Sequence, residues 1–343
     1  MTLIAETARD AYWSAVAGAD RPEAVRIALE QLDAGVGLPD VLSQLVCAAQ
    51  LEVGRRWAAN EWNVAQEHAA TSIGEDVVAA LASRRTTDVS RGTVVVACAE
   101  GEWHSLPARV LAETLRMDGW QVRYLGASVP APHLLQLLHD LGPDAVALSC
   151  SVSTSLPRTR RMIEASREAG VPVIVGGSGF GPNGRWGLQL GANAWAPDAT
   201  AALDVLNAPS WPAYTDPAPA YSPPDDDSDA ILAKSHVLVA AAMSELEKRL
   251  PSMSAYTADQ RARTEEDFGH ILNFLAVALY VDDAELFSNF VSWLADLLVP
   301  RHVPLRALDI SLQVVHTVVD EQLGERPRTR SFIVAGRRTL SPG

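Results

Sequence analysis

Thr93-Val-Val-Val-Ala-Cys-Ala-Glu-Gly-Glu-Trp-His-Ser-Leu-Pro107 sets the architecture of the whole chain. Its first half is an unbroken run of β-branched and small apolar residues, the pattern of a parallel strand buried on both faces. The polarity then switches. Glu102 and His104 follow at the strand's carboxyl end, and Ser105 and Pro107 are placed to open a helix, the serine as N-cap and the proline in the first turn. In an open parallel sheet, ligands bind at that edge. A histidine there, with a carboxylate two residues before it, suits a metal ligand whose other ring nitrogen is held by an acceptor. The plainer alternative is a surface histidine in a strand-to-helix loop.

Outward from this stretch a strand-helix rhythm continues over Gln121–Leu125, Pro132–Leu141, Ala145–Cys150, Leu156–Ala169, Val171–Val175 and Ala192–Ala196. It predicts an α/β domain over residues 89–208, a doubly wound parallel sheet of flavodoxin-like order. Ser149, Ser151 and Val152 end the third strand and Gly176-Gly177 the fourth, at the same edge as His104. Hydroxyls there can bond a buried ring nitrogen, and paired glycines let a bulky group run against backbone. A simple turn is the alternative for the glycine pair.

Residues 1–88 read as a four-helix bundle, with breaks at Asp20-Arg-Pro, Gly35 to Gly37, and Pro39-Asp40. At the tip between its last two helices lies Trp57-A-A-N-E-W-N-V-A-Q-Glu67-His68, which can turn an indole and a Glu-His pair toward one ligand. Trp57 as a core anchor and Glu67 as a helix-dipole residue form the other reading.

Beyond residue 208, residues 209–229 are rich in Pro, Asp and Ser and read as a linker, with Trp211, Tyr214 and Tyr221 large enough to pack on the sheet. Residues 230–325 form an all-α region with helices near Ile231–Leu250, Thr257–Val281, Asp283–Leu298 and Leu305–Leu323. Residues 326–343 read as a basic, solvated tail.

The net charge of −14 over 343 residues argues against a nucleic-acid surface. No apolar run is long enough to span a bilayer, and Cys47, Cys98 and Cys150 sit in apolar contexts that suit reduced core thiols. The expectation is a soluble, cytoplasmic protein with no membrane contact.

The Glu102-Trp103-His104-Ser105-Leu-Pro107 loop resembles the lower-axial-ligand loop of cobalamin-binding domains, with Pro107 where that family carries glycine. The Trp57 and Glu67-His68 spacing resembles the upper cap of adenosylcobalamin photoreceptors. There, in some members, a histidine follows the tryptophan, whereas here Ala58 stands. Asp267-F-G-H-I-L-N-F-L and Asp282-D-A-E-L-F-S-N-F-V-S-W-L look like the globin-like domain of photocobilins, which pair cobalamin with biliverdin.

These resemblances imply His104 as the cobalt ligand and adenosylcobalamin between the bundle and the sheet. They also imply that Ser149, Ser151, Val152, Gly176 and Gly177 line a channel for the displaced nucleotide tail. For biliverdin they imply that Asp267 and His270 serve the pyrroles, that Phe274 and Trp293 (with Phe268, Tyr280 and Phe287) form walls, and that Arg301 and His302 meet the propionates. Each of these second-region residues has a core or loop reading as well. The implied protein is no enzyme but a light receptor that signals through its oligomeric state or a protein partner. The alternatives are a corrinoid methyl carrier of a methyltransferase system and a light-independent cobalamin-dependent anti-repressor.

Overall fold

The computed structural model describes residues 2–84, 88–211 and 221–340. The chain divides into two units, residues 1–221 and 222–343. Tyr214 lies outside the described residues.

The first unit opens with helices whose ends follow their capping residues. α1 (Glu6–Ala17) is followed by α2 (Arg21–Asp33), where the Asp20 side chain accepts from the Glu23 amide and a proline occupies the first turn. α3 (Leu38–Val41) runs through a π-helical stretch, Leu42–Cys47, into α4 (Ala48–Ala58). α5 (Val64–Ser83) begins with a capping box between Asn63 and Gln66. Trp13 stacks on Trp62 with centroids 5.6 Å apart, and the Arg56 guanidinium lies 4.8 Å from the Trp13 ring, which pins the tip between α4 and α5.

The sheet follows: β1 (Thr93–Cys98), α6 (Leu106–Met117), β2 (Gln121–Gly126), α7 (Ala131–Leu141), β3 (Ala145–Ser149), α8 (Leu156–Glu168), β4 (Val173–Gly176), α9 (Arg185–Gln189), β5 (Ala194–Ala196) and α10 (Ala199–Asn207). All pairings are parallel, in the order β2-β1-β3-β4-β5. β1 and β3 are fully apolar at their centres because helices cover both faces. The order reverses between β1 and β3, so a crevice opens beyond their carboxyl ends. Leu106 and Val110 of α6 belong to the same apolar core as Val46, Ala70 and Ile73 of the bundle. Bundle and sheet therefore share a core. Trp211 packs against the sheet's own core, and Tyr221 lies under the Arg160 guanidinium at 5.9 Å.

The second unit is helical: α11 (Asp227–Ala233), α12 (Ser235–Arg249), α13 (Ala258–Tyr280), α14 (Ala284–Leu298), α15 (Leu305–Leu323) and α16 (Pro327–Arg338). This unit departs from expectation at two places. The basic segment from Arg326 is no solvated tail: α16 buries Phe332, Ile333 and Gly336, and a Cβ at Gly336 would stand 2.8 Å from the Phe287 ring. Asp225 to Asp227, read as the end of a linker, are the partners of that segment. Arg328 donates to both oxygens of Asp225 and at 2.8 Å to Asp282, Arg326 reaches Asp226 at 2.9 Å, and buried Thr329 donates to Asp227 at 2.7 Å. Opposite charges a hundred residues apart in sequence thus meet at one end of the unit. Among the described residues no helix is long and apolar enough to cross a membrane.

Candidate functional site

Beyond the carboxyl ends of β1, β3 and β4, and beneath α4 and α5, lies a cavity of about 1170 Å³. Trp57, Glu67 and His68 line it from the bundle. Trp103, His104, Ser105, Ser149, Ser151, Gly176 and Gly177 line it from the sheet edge. Glu102 and Val152 stand behind this wall.

The loop after β1 is built around the Glu102 carboxylate, which is 2 % exposed. One oxygen accepts from the His104 amide at 2.9 Å and from His104 Nδ1 at 2.5 Å, while the other accepts from the amides of Ser151 at 2.6 Å and Val152 at 3.1 Å. One buried side chain therefore ties the β1 loop to the β3 loop across the switch point. Burial pushes the Glu102 carboxyl up, but the hydrogen bonds from the His104 ring and from the His104 and Ser151 amides outweigh it and hold the group below its usual range. The hydrogen bond to Glu102 raises the pKa of His104 against the opposing pull of burial, and the charge of Glu67 adds to the rise. An ionised carboxylate only accepts, so Nδ1 carries the proton and Nε2 is the nitrogen that remains for a ligand. The His104 side chain is 61 % exposed. The Cys98 thiol lies 3.8 Å from the His104 carbonyl and further steadies the loop.

Ser105 departs from expectation. It sits at the N-cap of α6 but makes no capping bond; its hydroxyl donates instead to Glu75 of α5 at 3.0 Å, joining bundle and sheet at the cavity. Pro107 lies in the first turn of α6, where a missing N–H costs nothing, and its ring lines the cavity where the resembled family has glycine.

At the edge of β3 and β4, Gly177 has φ +108° and a Cβ built there would stand 2.3 Å from the Cys150 carbonyl oxygen. A Cβ at Gly176 would meet the Ala196 carbonyl at 3.1 Å. This edge is bare backbone by necessity, and it leaves a slot leading into the sheet. Above it, Glu67 accepts from the Thr71 hydroxyl at 3.1 Å and pairs with His68 Nδ1 at 2.5 Å, and the Thr71 hydroxyl also lies 3.1 Å from Gln50 Oε1. Gln50, Thr71, Ser72 and Glu75 line the cavity and went unnoticed in the sequence. The spacing of Glu67, Thr71 and Glu75, each four residues apart on α5, was the available signal. Ala58 offers no ligating group beside Trp57.

The donor set suits a flat macrocycle that brings its own metal. His104 presents a single nitrogen with its partner nitrogen fixed, and among the described residues no group of three or more His, Cys, Asp or Glu side chains could hold a bare ion. The walls are largely apolar and the volume is large enough for a corrin. Two protein-family models, each described as a B12 binding domain, match the chain, one over residues 92–205 and the other over residues 8–82. The chain carries a B12-binding domain with a helical cap. Among its relatives, trimethylamine corrinoid protein 1 of Methanosarcina acetivorans is 26% identical over 202 residues, which span 57% of this chain and 93% of that protein. Dimethylamine corrinoid protein 1 of the same organism is 23% identical over 190 residues, spanning 53% and 88%. The structure of the Methanosarcina barkeri monomethylamine corrinoid protein shares the fold, with a TM-score of 0.53 at 20% identity over 59% of this chain and 97% of that one. Both family models end before the second unit.

In the second unit the six candidate residues lie on α13, on α14 and in the short turn that follows α14. Asp267, His270 and Phe274 fall on one stripe of α13. Phe274 stacks on Phe290 at 3.9 Å, and Trp293, 46 % exposed, lies 6.1 Å from Phe290. Burial pushes the Asp267 carboxyl up, partly opposed by His270. Arg301 gives an N–H to the Leu297 carbonyl at 2.7 Å, and His302 takes a left-handed backbone with φ +62°. Phe268, Tyr280 and Phe287, expected as ligand walls, are buried, Phe287 of α14 directly against Gly336 of α16.

Proposed function

We propose that the first unit carries a corrinoid above His104 and that the protein is a methyl carrier in a methyl-transfer system, handing a methyl group between partner proteins. The observation that carries this reading is the buried Glu102 holding Nδ1 of an exposed His104 at the floor of a corrin-sized cavity, in a fold whose relatives are named for methylamine corrinoid proteins. A bound corrinoid supplies a cobalt–carbon bond that can be made and broken. The chain's own residues do the rest. His104 offers Nε2 from below, Glu102 fixes the ring and its tautomer, and Ser149, Ser151, Gly176 and Gly177 make room in the sheet for a nucleotide tail. The cap shields the upper side from water.

A second reading has its own support. The upper side of the cavity presents Trp57 and a polar stripe of Glu67, His68, Thr71 and Glu75, more polar surface than a methyl group uses and suited to an adenosyl group. On that reading the protein is an adenosylcobalamin light receptor. Biliverdin then occupies a globin-like second unit near Asp267, His270, Phe274, Trp293, Arg301 and His302, and the output is a change of oligomeric state. One experiment separates the two: equilibrium binding of methyl- and adenosylcobalamin to wild type and Trp57→Ala, followed by green light. The carrier reading expects comparable affinities, a Trp57→Ala variant that discriminates no differently, and methyl transfer to an acceptor with a partner methyltransferase. Strong preference for adenosylcobalamin, lost in Trp57→Ala, with a persistent light-driven spectral change would replace it with the receptor. A red-band response to added biliverdin would extend the receptor reading to the second unit.

A further inference from the structure

Neither functional reading uses the cavity of about 450 Å³ between the first turn of α15 and the last turn of α16, lined by Leu305, Arg306, Asp309, Val334, Arg337, Arg338 and Leu340. Its chemistry is one-sided. Three guanidiniums face one carboxylate, and that carboxylate is already engaged. Asp309 accepts from Arg337 at 2.8 and 3.3 Å and from Gln313 at 2.6 Å. The hydrogen bond from Arg337 holds the Asp309 carboxyl below its usual range, so the pair is internally neutral. Arg306 and Arg338 are both exposed and leave the lining with net positive charge. α15, a helix of 19 residues, adds to this, because its N-cap is Pro304 and no side chain caps its first-turn amides. The rest of the lining is apolar and open: Leu305 is 40 % and Val334 36 % exposed.

We propose that this cavity binds a small organic anion, a carboxylate or phosphate carried on an apolar chain. The planar forks of Arg306 and Arg338 match the oxygens of such a head group, and Leu305, Val334 and Leu340 cover the first methylenes. A multiply charged polar metabolite would leave the apolar lining unused, and a neutral lipid would leave the guanidiniums unpaired.

The test is isothermal titration of the full chain with octyl phosphate, octanoate and inorganic phosphate, at about 0.15 M ionic strength so that loose surface attraction is screened. Expected is saturable one-to-one binding of octyl phosphate, tighter than inorganic phosphate. Arg306→Ala and Arg338→Ala should each weaken it roughly tenfold or more, the scale of one charge-assisted hydrogen bond. Arg306→Lys should lose less, and Leu305→Ala should weaken octyl phosphate while sparing inorganic phosphate. Both arginines are exposed, so these variants keep the fold, which circular dichroism checks. Vesicles of phosphatidylglycerol in phosphatidylcholine distinguish the source. Binding to them that needs Arg306 points to a lipid head group, and binding of the soluble amphiphile alone points to a free metabolite. No saturable heat with any probe, unchanged affinity in both alanine variants, or octyl phosphate no better than inorganic phosphate would each overturn the proposal.

Discussion

Replacing Glu102 by glutamine changes one atom and tests the centre of the site. The carboxylate accepts from four N–H groups, two on each oxygen, and glutamine must turn an NH₂ toward one of those pairs. Facing Ser151 and Val152 it would orphan two half-buried amides. Facing His104 it orphans only one, because the ring can shift its proton to Nε2 and accept at Nδ1. The second arrangement is the cheaper, at about 2 kcal/mol for one unsatisfied buried donor and a lost charge-assisted bond. For a unit of this size that lowers the melting point by roughly 4–8 °C. The same arrangement puts a proton on the nitrogen that would meet cobalt, so corrinoid affinity should fall by roughly 10–100-fold, as for other residues that orient a metal ligand. Calorimetry of the apo protein and spectrophotometric titration with hydroxocobalamin measure the two effects, and the bound pigment should show a base-off spectrum. A glutamine variant that melts within about a degree of wild type and binds with an unchanged spectrum would refute the role given to Glu102.

Corrinoid affinity should rise with pH through and above the ordinary histidine range, because the raised pKa of His104 means that Nε2 must shed a proton to bind; titrations in buffers of different ionisation enthalpy should show that proton released. In the apo protein the same pair acts on stability. The His104 contribution is full below its unfolded pKa of about 6.5 and fades as pH rises through the raised folded value, while the Glu102 contribution is full above about 4.3 and fades as pH falls through its lowered value. Cys98 and Cys150, their thiols pushed up to about 12 by burial, should resist iodoacetamide at about pH 8 in the native protein and react once urea unfolds it, as mass spectrometry can show. Thr329→Val should lower the stability of the second unit by about 1–3 kcal/mol in urea melts, since it deprives the buried Asp227 of a donor, while leaving corrinoid binding unchanged.

Much of this was legible in the sequence. Helix starts at Asp20 and Asn63 were written in capping residues, and the sheet in its β-branched runs, because both signals act over a few residues. The residues around the cavity could be found where they carry unusual chemistry at a strand end, as His104 does. Harder were contacts made over distance. Ser105 looks like a cap and instead bonds Glu75, thirty residues earlier. α16 was hidden because its arginines suggest solvent, and it takes the distant Asp225, Asp226, Asp227, Asp282, Asp309 and Asp320 to explain why they are ordered. The aromatic residues of α13 and α14 fit a core as well as a ligand wall, and helical spacing alone does not separate the two.

The wide turn at Leu42–Cys47 has a mechanical meaning for the cap. A helix passing from the bundle interior to the rim of a cavity must keep one side in the core while it brings a second side round to the cavity. One looser turn, bonded five residues back, shifts the phase. Upstream, Leu38, Val41 and Leu42 are buried in the bundle core; downstream, Ala49 and Val53 stay in that core while Gln50, Gly54 and Trp57 line the cavity. Deleting one residue from this turn would keep the helix and its hydrogen bonds but swing Trp57 by about 100° around the axis. The indole's aim thus depends on the winding of the helix some ten residues before it.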